Sequence, residues 1–166
     1  MRINVKAIHL PGVLNSAADS LSRLERSGDY QITRKGMEEV QKQLNVEIEQ
    51  DAFASQGNNK AQIWFGSSSL YAEDGLSVSW KYAVTLVHPP VPLILPSMRK
   101  IWREKARAVI LIPTWRDQIW TPLLKRMITH FEYWKNSQTI LQPGPGLKRT
   151  GASLSPGGYI AGRLYW

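Results

Sequence analysis

Short apolar runs alternate with helical patterns from residue 46 onward, and this alternation constrains the fold more than any other feature of the sequence. The predicted strands are residues 46–53, 63–65, 83–88 and 108–113. The predicted helices of this region are residues 96–105 and 120–128. Strands that alternate with helices are typical of a parallel sheet with helices layered on its faces. The sequence therefore predicts an α/β fold with a small parallel sheet.

The flanking segments carry weaker signals. Residues 25–31 are polar and are predicted to form a linker. Thr33 can cap a helix over residues 34–44, because its hydroxyl can accept from the free amides of the first turn. Residues 135–166 contain prolines and glycines without periodicity, so we expect an irregular tail in which residues 159–166 form a final strand.

Composition excludes several classes of protein. The 166 residues suit one domain, and the absence of cysteine excludes a disulfide framework and a thiolate zinc site. The apolar runs are too short for a membrane span, and no apolar run of signal-peptide length follows Met1, so we expect an intracellular protein of the nucleus or cytoplasm. The net charge of +8 favours weak electrostatic binding to DNA or RNA. A generally basic surface without a dedicated site explains the charge equally well.

A spaced set of residues lies near the start of the chain. Its members are His9, Gly12, Asn15, Asp19 and Arg23. Residues 3–9 alternate as in a short strand, and Asn15 can cap a helix that runs to residue 24. The set resembles the closing segment of the RNase H domain that follows reverse transcriptase in retroelement polyproteins.

This first resemblance implies that Asp19 is one of four acids that hold two metal ions and that His9 belongs to a loop beside them. Metal-assisted hydrolysis needs several oxygen ligands, and the other three acids would precede Met1. We therefore expect magnesium only in an intact RNase H domain, with the upstream reverse transcriptase and RNase H segment as the partner, and no RNase H activity from this chain. An ordinary capped surface helix with a solvated Asp19 explains the same residues.

A second set of residues follows the predicted strands of the α/β region. It comprises Asp51-Ala52-Phe53-Ala54-Ser55 with Asn58 or Asn59 behind it, then His88-Pro89-Pro90-Val91, then Pro113-Thr114-Trp115. The order resembles the methyltransferase-like domain that follows RNase H in DIRS-type retrotransposons, itself similar to phage-type DNA adenine-N6 methyltransferases. The resemblance covers about residues 46–130.

This second resemblance implies a Rossmann-like sheet that binds S-adenosylmethionine at its strand ends, with Asp51 accepting from the ribose hydroxyls. In the active families the residue before Pro89 and Pro90 accepts from the target amine, and an aromatic residue after them stacks on the base. This chain has His88 and Val91 there, so we expect methyl transfer to be absent or very slow. Two structural alternatives stay open, an Asx turn at Asp51 and a strand-end histidine in a non-catalytic cleft at His88.

Cations and an aromatic residue meet in the predicted helix 96–105. Arg99, Lys100 and Arg103 are expected on its solvent-facing side, with Trp102 beside them. Cations interleaved with aromatic rings can bind single-stranded DNA or RNA, so these four residues are candidate nucleic-acid contacts. For the tryptophans beside apolar runs, core packing is the favoured alternative. They are Trp64, Trp80, Trp115 and Trp120.

Taken together, the two resemblances predict the C-terminal part of a DIRS-like retrotransposon polyprotein. The predicted domains are an RNase H remnant of one strand and one helix (residues 1–24), a linker with a helix (25–45), a degenerate methyltransferase-like domain (46–134) and a tail (135–166). Three functions stay open. They are a non-catalytic nucleic-acid-associated module, an S-adenosylmethionine-dependent DNA adenine methyltransferase, and a non-functional gene fragment.

Overall fold

A computed structural model describes residues 30–54, 60–65, 75–144 and 157–165 of the chain. The predicted strand 3–9, the predicted helix to residue 24, and with them His9 and Asp19, lie outside these residues. The described part is a mixed α/β fold with three α-helices. None of its helices is long and apolar enough to cross a membrane.

Eight strands and three α-helices succeed one another along the described chain. The order is β1 (Tyr30–Ile32), α1 (Arg34–Leu44), β2 (Gln50–Asp51), β3 (Ile63–Trp64), β4 (Thr85–Val87), α2 (Ile94–Glu104), β5 (Ala108–Pro113), α3 (Thr121–Met127), β6 (Ile128–Trp134), β7 (Leu141–Pro143) and β8 (Tyr159–Leu164). Short 3₁₀ turns precede α2 and β7, over Val91–Leu93 and Ser137–Thr139.

Six of the strands form one sheet in the order β3-β2-β4-β5-β8-β6. Neighbours from β3 to β5 are parallel, and β8 runs antiparallel to both β5 and β6. β6 is therefore parallel to β5, and β8 is the one reversed strand among the six, so the sheet is mixed and the predicted all-parallel sheet is wrong. The remaining two strands, β1 and β7, pair antiparallel in a separate ribbon. Residues 30 and 31 of the predicted linker and residues 141–143 of the predicted irregular tail are therefore strands.

The β5 strand separates two apolar cores. All six of its residues are buried, which explains why it is a continuous apolar run in the sequence. Val109 and Leu111 point into one core, and Ile110 and Ile112 point into the other. The sheet is thus covered on both faces.

Helix α1 covers the first face. Its buried side chains Met37, Val40 and Leu44 lie one turn apart and pack with the inward residues of β5 and β8. Thr33 Oγ1 accepts a hydrogen bond from the Gly36 N–H at 2.9 Å, so the predicted cap and the predicted bounds of this helix are both confirmed. Gly36 has no room for a side chain, because a Cβ there would overlap the backbone of Ile140.

Helices α2 and α3 cover the second face. Ile94, Met98 and Ile101 of α2 are fully buried against the sheet, and Met127 of α3 joins the same core. The helices begin and end within two residues of the predicted bounds 96–105 and 120–128.

Three strand predictions need correction. The predicted strand 46–53 shrinks to Gln50–Asp51, because the Ile48 N–H is bound by the Gln41 side chain of α1 before the chain reaches the sheet. Residues 128–134 form β6, which the alternation did not predict, since most of its side chains are at least partly exposed at the sheet edge. The tail strand β8 is correct as a strand, but it lies inside the sheet between β5 and β6.

Candidate functional site

The connections of the sheet place its crevice between β2 and β4. From β2 the chain passes outward to β3, and it then returns across β2 to β4 and continues to β5. The connections that leave β2 and β4 therefore run to opposite sides of the sheet. In open α/β sheets, ligands bind at the carboxyl ends of strands where the direction of winding reverses. Asp51 is the last residue of β2 and pairs with Leu86, and His88 directly follows β4. The two predicted site residues therefore lie at adjacent strand ends.

The Asp51 carboxylate is bound by its own loop. It is 4% exposed and accepts hydrogen bonds from the backbone N–H groups of Phe53, at 3.2 Å, and Lys60. The bond to the residue two places ahead is an Asx turn. Burial raises the pKa of Asp51 to about 6, and the two hydrogen bonds limit that rise. This is the geometry of the structural alternative, with the acceptor oxygens directed into the protein.

A buried tryptophan fixes the neighbouring loop against the end of β2. The ring of Trp80 is fully buried, meets Phe53 edge to face at 6.2 Å, and donates its indole N–H to the Gly75 carbonyl at 2.9 Å. Gly75 lies so close to Ala52 that a Cβ would overlap the Ala52 carbonyl oxygen. The segment that contains Gly75 and Trp80 therefore packs against the strand end that carries Asp51.

The cleft beside His88 is almost filled. Its free volume is about 10 Å³, space for a single water molecule, between Tyr30, Val91 and Tyr159. The imidazole meets the Tyr159 ring edge to face at 6.3 Å. Burial lowers the pKa of His88 to about 4 and raises that of Tyr159, so the imidazole and the phenol are both neutral at pH 7. A flipped base does not fit into this space.

The predicted basic helix face is divided between the interior and the surface. Arg99 and Arg103 are exposed, as expected, and Trp102 is 38% exposed. Lys100 is instead buried, because it forms an ion pair with Glu104 and its ammonium lies 5.1 Å from the centre of the Trp80 ring. The expected solvent-facing position of Lys100 is therefore wrong.

Glu104 connects this buried pair to the Trp80 loop. Its second carboxylate oxygen accepts a hydrogen bond from the Trp80 backbone N–H at 2.8 Å. Burial alone would raise the pKa of Glu104, but the hydrogen bonds from Lys100 and Trp80 outweigh it, and the pKa lies below its ordinary value. Lys100 thus supports the closed end of the sheet.

A second group of cations surrounds Trp102. The Lys105 ammonium lies 5.0 Å from the ring centres of both Trp102 and Tyr165, and the Arg126 guanidinium lies 5.4 Å from that of Trp102. Trp102 and Tyr165 themselves meet edge to face at 5.7 Å. We call Trp102, Lys105, Arg126 and Tyr165 the cation–aromatic cluster. The sequence places Lys105 near Trp102, but it does not predict Arg126 or Tyr165, because they come from α3 and from the residue after β8.

A wide groove opens at the carboxyl end of β5. Its volume is about 540 Å³, within the range of ligand sites, and apolar side chains from α3, β6 and β8 line it together with the loop after β5. Sequence reasoning assigned its two tryptophans, Trp115 and Trp120, to the core. The groove could not be foreseen, because Phe131 and Ile160 reach it from strands that are distant in sequence.

The part of the chain that the structure describes holds no cluster of three or more histidine, cysteine, aspartate or glutamate side chains that could bind a metal ion. The predicted metal ligand Asp19 lies outside it.

Comparison with known proteins does not place the chain in a family. No protein-family profile, no curated protein and no solved structure matches it. Function must therefore be argued from the site itself.

Proposed function

We propose that this chain is a non-catalytic nucleic-acid-binding module, a degenerate methyltransferase-like domain with a Rossmann-like sheet from the C-terminal region of a DIRS-like retrotransposon polyprotein. The observation that carries the binding function is the cation–aromatic cluster. Two cations lie over the exposed Trp102 ring, and Arg99, one turn before Trp102, and Arg103 are exposed on the same helix. Phosphates bind such cations, and the aromatic rings hold the cations in place at the surface.

The proposal that the domain is non-catalytic has separate support. The His88 cleft holds about one water molecule, and the Asp51 carboxylate already accepts two backbone N–H groups. Methyl transfer to a base requires a flipped base in a pocket that holds its amine and its ring. A neutral imidazole provides no oxygen acceptor for the amine, and Val91 provides no aromatic ring at the position that stacks on the base in the active families.

Fluorescence anisotropy with a labelled 20-nucleotide single-stranded DNA tests the binding surface. The double variant Arg103→Ala/Arg126→Ala should bind at least tenfold more weakly at low salt. Its plot of log affinity against log salt should be shallower by roughly 1.4, since each lost phosphate contact on a single strand removes about 0.7. The control is Lys35→Ala/Lys42→Ala, which removes two exposed cations from α1 on the opposite face. Equal losses in both variants would mean that general charge, and not this surface, binds the strand.

One observation favours a second function, an S-adenosylmethionine-dependent DNA adenine-N6 methyltransferase. Asp51 and the His88-Pro89-Pro90 segment lie at adjacent ends of parallel strands, where the winding reverses. Calorimetry with S-adenosylmethionine and tritium transfer to adenine-containing DNA discriminate the two functions. We expect no transfer by the unaltered chain, and His88→Asn/Val91→Tyr is the matched gain-of-function variant. Robust methylation by the unaltered chain would establish the second function.

A further inference from the structure

The groove at the carboxyl end of β5 has the lining of a ligand site. Aromatic and aliphatic side chains form its walls: Trp115, Trp120, Leu124, Ile128, Phe131 and Ile160. Trp120 is buried beneath it, whereas Phe131 is 55% exposed on β6, so the groove has a deep wall and an open side. A large exposed aromatic residue beside such a cavity is costly to leave in water, which favours an apolar, flat occupant.

Cations stand at the mouth of the same groove. Arg116 follows β5 and Lys125 belongs to α3, and both are exposed. Asp117 is the single carboxylate in the lining, so two positive charges face one negative charge. Arg116 and Asp117 form a turn, in which Asp117 has a left-handed backbone with a φ of 57°. An anionic group on the occupant is therefore attracted to the mouth.

Helix α3 connects the groove to the cation–aromatic cluster. Lys125 lines the groove, and the next residue, Arg126, lies over Trp102 in the cluster. Lys125 and Arg126 are successive residues of α3, so the two surfaces adjoin across this helix. Both surfaces lie on the α2 and α3 side of the sheet.

We propose that this groove takes one base of a single-stranded nucleic acid, with the flanking phosphates at Arg116 and Lys125. The inference rests on the proposed function, because the nucleic acid that binds the cation–aromatic cluster would make a second contact in the groove. The rings of Trp115, which is partly exposed, and of Phe131 stack on a base of any sequence, while the buried Trp120 forms the floor and the cations bind the backbone. The groove supplies the base-dependent part of the affinity, and the cation–aromatic cluster supplies most of the salt-dependent part.

Two labelled oligonucleotides of equal length separate the base-dependent affinity from the affinity for phosphates. One is a 10-nucleotide oligothymidine, and the other carries abasic sites throughout, so it keeps the phosphates and lacks the bases. The full chain should bind the oligothymidine about tenfold more tightly than the abasic strand. Phe131→Ala should abolish that difference and leave the abasic affinity unchanged. The matched control is Tyr133→Ala, which removes a half-exposed ring two residues along the same strand but outside the groove.

The outcomes distinguish the inference from the function beneath it. A tenfold preference that disappears in Phe131→Ala and survives in Tyr133→Ala supports the groove. Equal affinity for both strands, or a preference that Phe131→Ala leaves intact, overturns the groove while the binding function stands. Failure of the chain to bind either strand overturns both. Circular dichroism of the two variants checks that their folds are unchanged.

Discussion

Two neighbouring regions at the carboxyl edge of the sheet, the closed end at β2 and β4 and the open end at β5, differ in where their polar and aromatic groups point. At the ends of β2 and β4, Asp51 accepts from its own loop, Trp80 is fully buried, and the His88 cleft has room for one water molecule. At the end of β5, a groove of about 540 Å³ remains open, with Phe131 exposed and two cations at its mouth. Residues whose chemistry suits a cofactor therefore do not form a binding site when neighbouring loops already occupy their hydrogen-bonding groups and the space beside them.

The difference has a physical origin in the loops. Gly75 allows its loop to approach the backbone of Ala52 without a side chain between them, and the Trp80 indole then bonds back to Gly75. The loop after β5 instead leaves the groove open and lines its side with Trp115, Arg116 and Asp117. One strand end is consequently part of the protein interior, whereas the other is surface.

Removal of the Trp80 ring should lower the free energy of unfolding more than removal of the Phe131 ring at the open end. Trp80→Ala removes a fully buried ring, its contact with Phe53 and its hydrogen bond to Gly75. We expect the free energy of unfolding to fall by about 4 kcal/mol, as for other buried tryptophans. Urea denaturation followed by circular dichroism measures it. A loss below about 1 kcal/mol would contradict the closed end that we describe.

The two titratable groups at the closed end should give opposite pH dependences. The folded protein favours the protonated Asp51, since its pKa is raised from 3.8 to about 6, so this contribution is present below pH 4 and is lost as the pH rises through 6. The folded protein favours the neutral His88, since its pKa is lowered from 6.5 to about 4, so this contribution is present above pH 6.5 and is lost as the pH falls through 4. Each amounts to roughly 3 kcal/mol, and they nearly cancel.

A single substitution removes the pH-dependent contribution of one group and leaves that of the other. Stability of Asp51→Asn should fall by roughly 3 kcal/mol between pH 6.5 and 4, and stability of His88→Gln should rise by a similar amount over the same interval. Urea midpoints at four or five pH values for the unaltered chain and both variants measure these slopes. Parallel slopes in the two variants would show that these groups are not buried as described.

The smallest effect on stability belongs to the open end. Phe131→Ala should change the free energy of unfolding by less than about 1 kcal/mol, because more than half of the ring is already in water. The same urea experiment compares it with Trp80→Ala. A loss as large as that at Trp80 would mean that Phe131 is part of the core and that the groove is not a free surface.

Local signals made some elements predictable from the sequence. The cap of α1 at Thr33 and the six-residue apolar run of β5 fixed the bounds of those elements, since each depends on residues near in sequence. The position of Asp51 and His88 at neighbouring strand ends followed from the parallel sheet. The burial of Asp51 and the filled cleft beside His88 did not follow, because they depend on Gly75, Trp80 and Tyr159, which reach them from distant segments.

Elements that rely on long-range pairing were less predictable. β6 carries exposed aromatic residues at an edge, so it lacks the apolar alternation of an interior strand. β8 enters the sheet between β5 and β6 from the end of the chain, and its place could not be inferred from a tail rich in glycine and proline. Lys100 was assigned to the surface because its partners, Glu104 and the Trp80 ring, are visible only in the fold.

The indole N–H signals of the tryptophans test the difference between the two ends most directly. We would label the chain with nitrogen-15 and record its heteronuclear NMR spectrum during titration with a 10-nucleotide oligothymidine, assigning each indole by Trp→Phe substitution. The signals of Trp102, Trp115 and Trp120 should move and saturate together, and that of Trp80 should stay in place. A titration in which the Trp80 signal moves most, or in which only the closed end responds, would contradict the account.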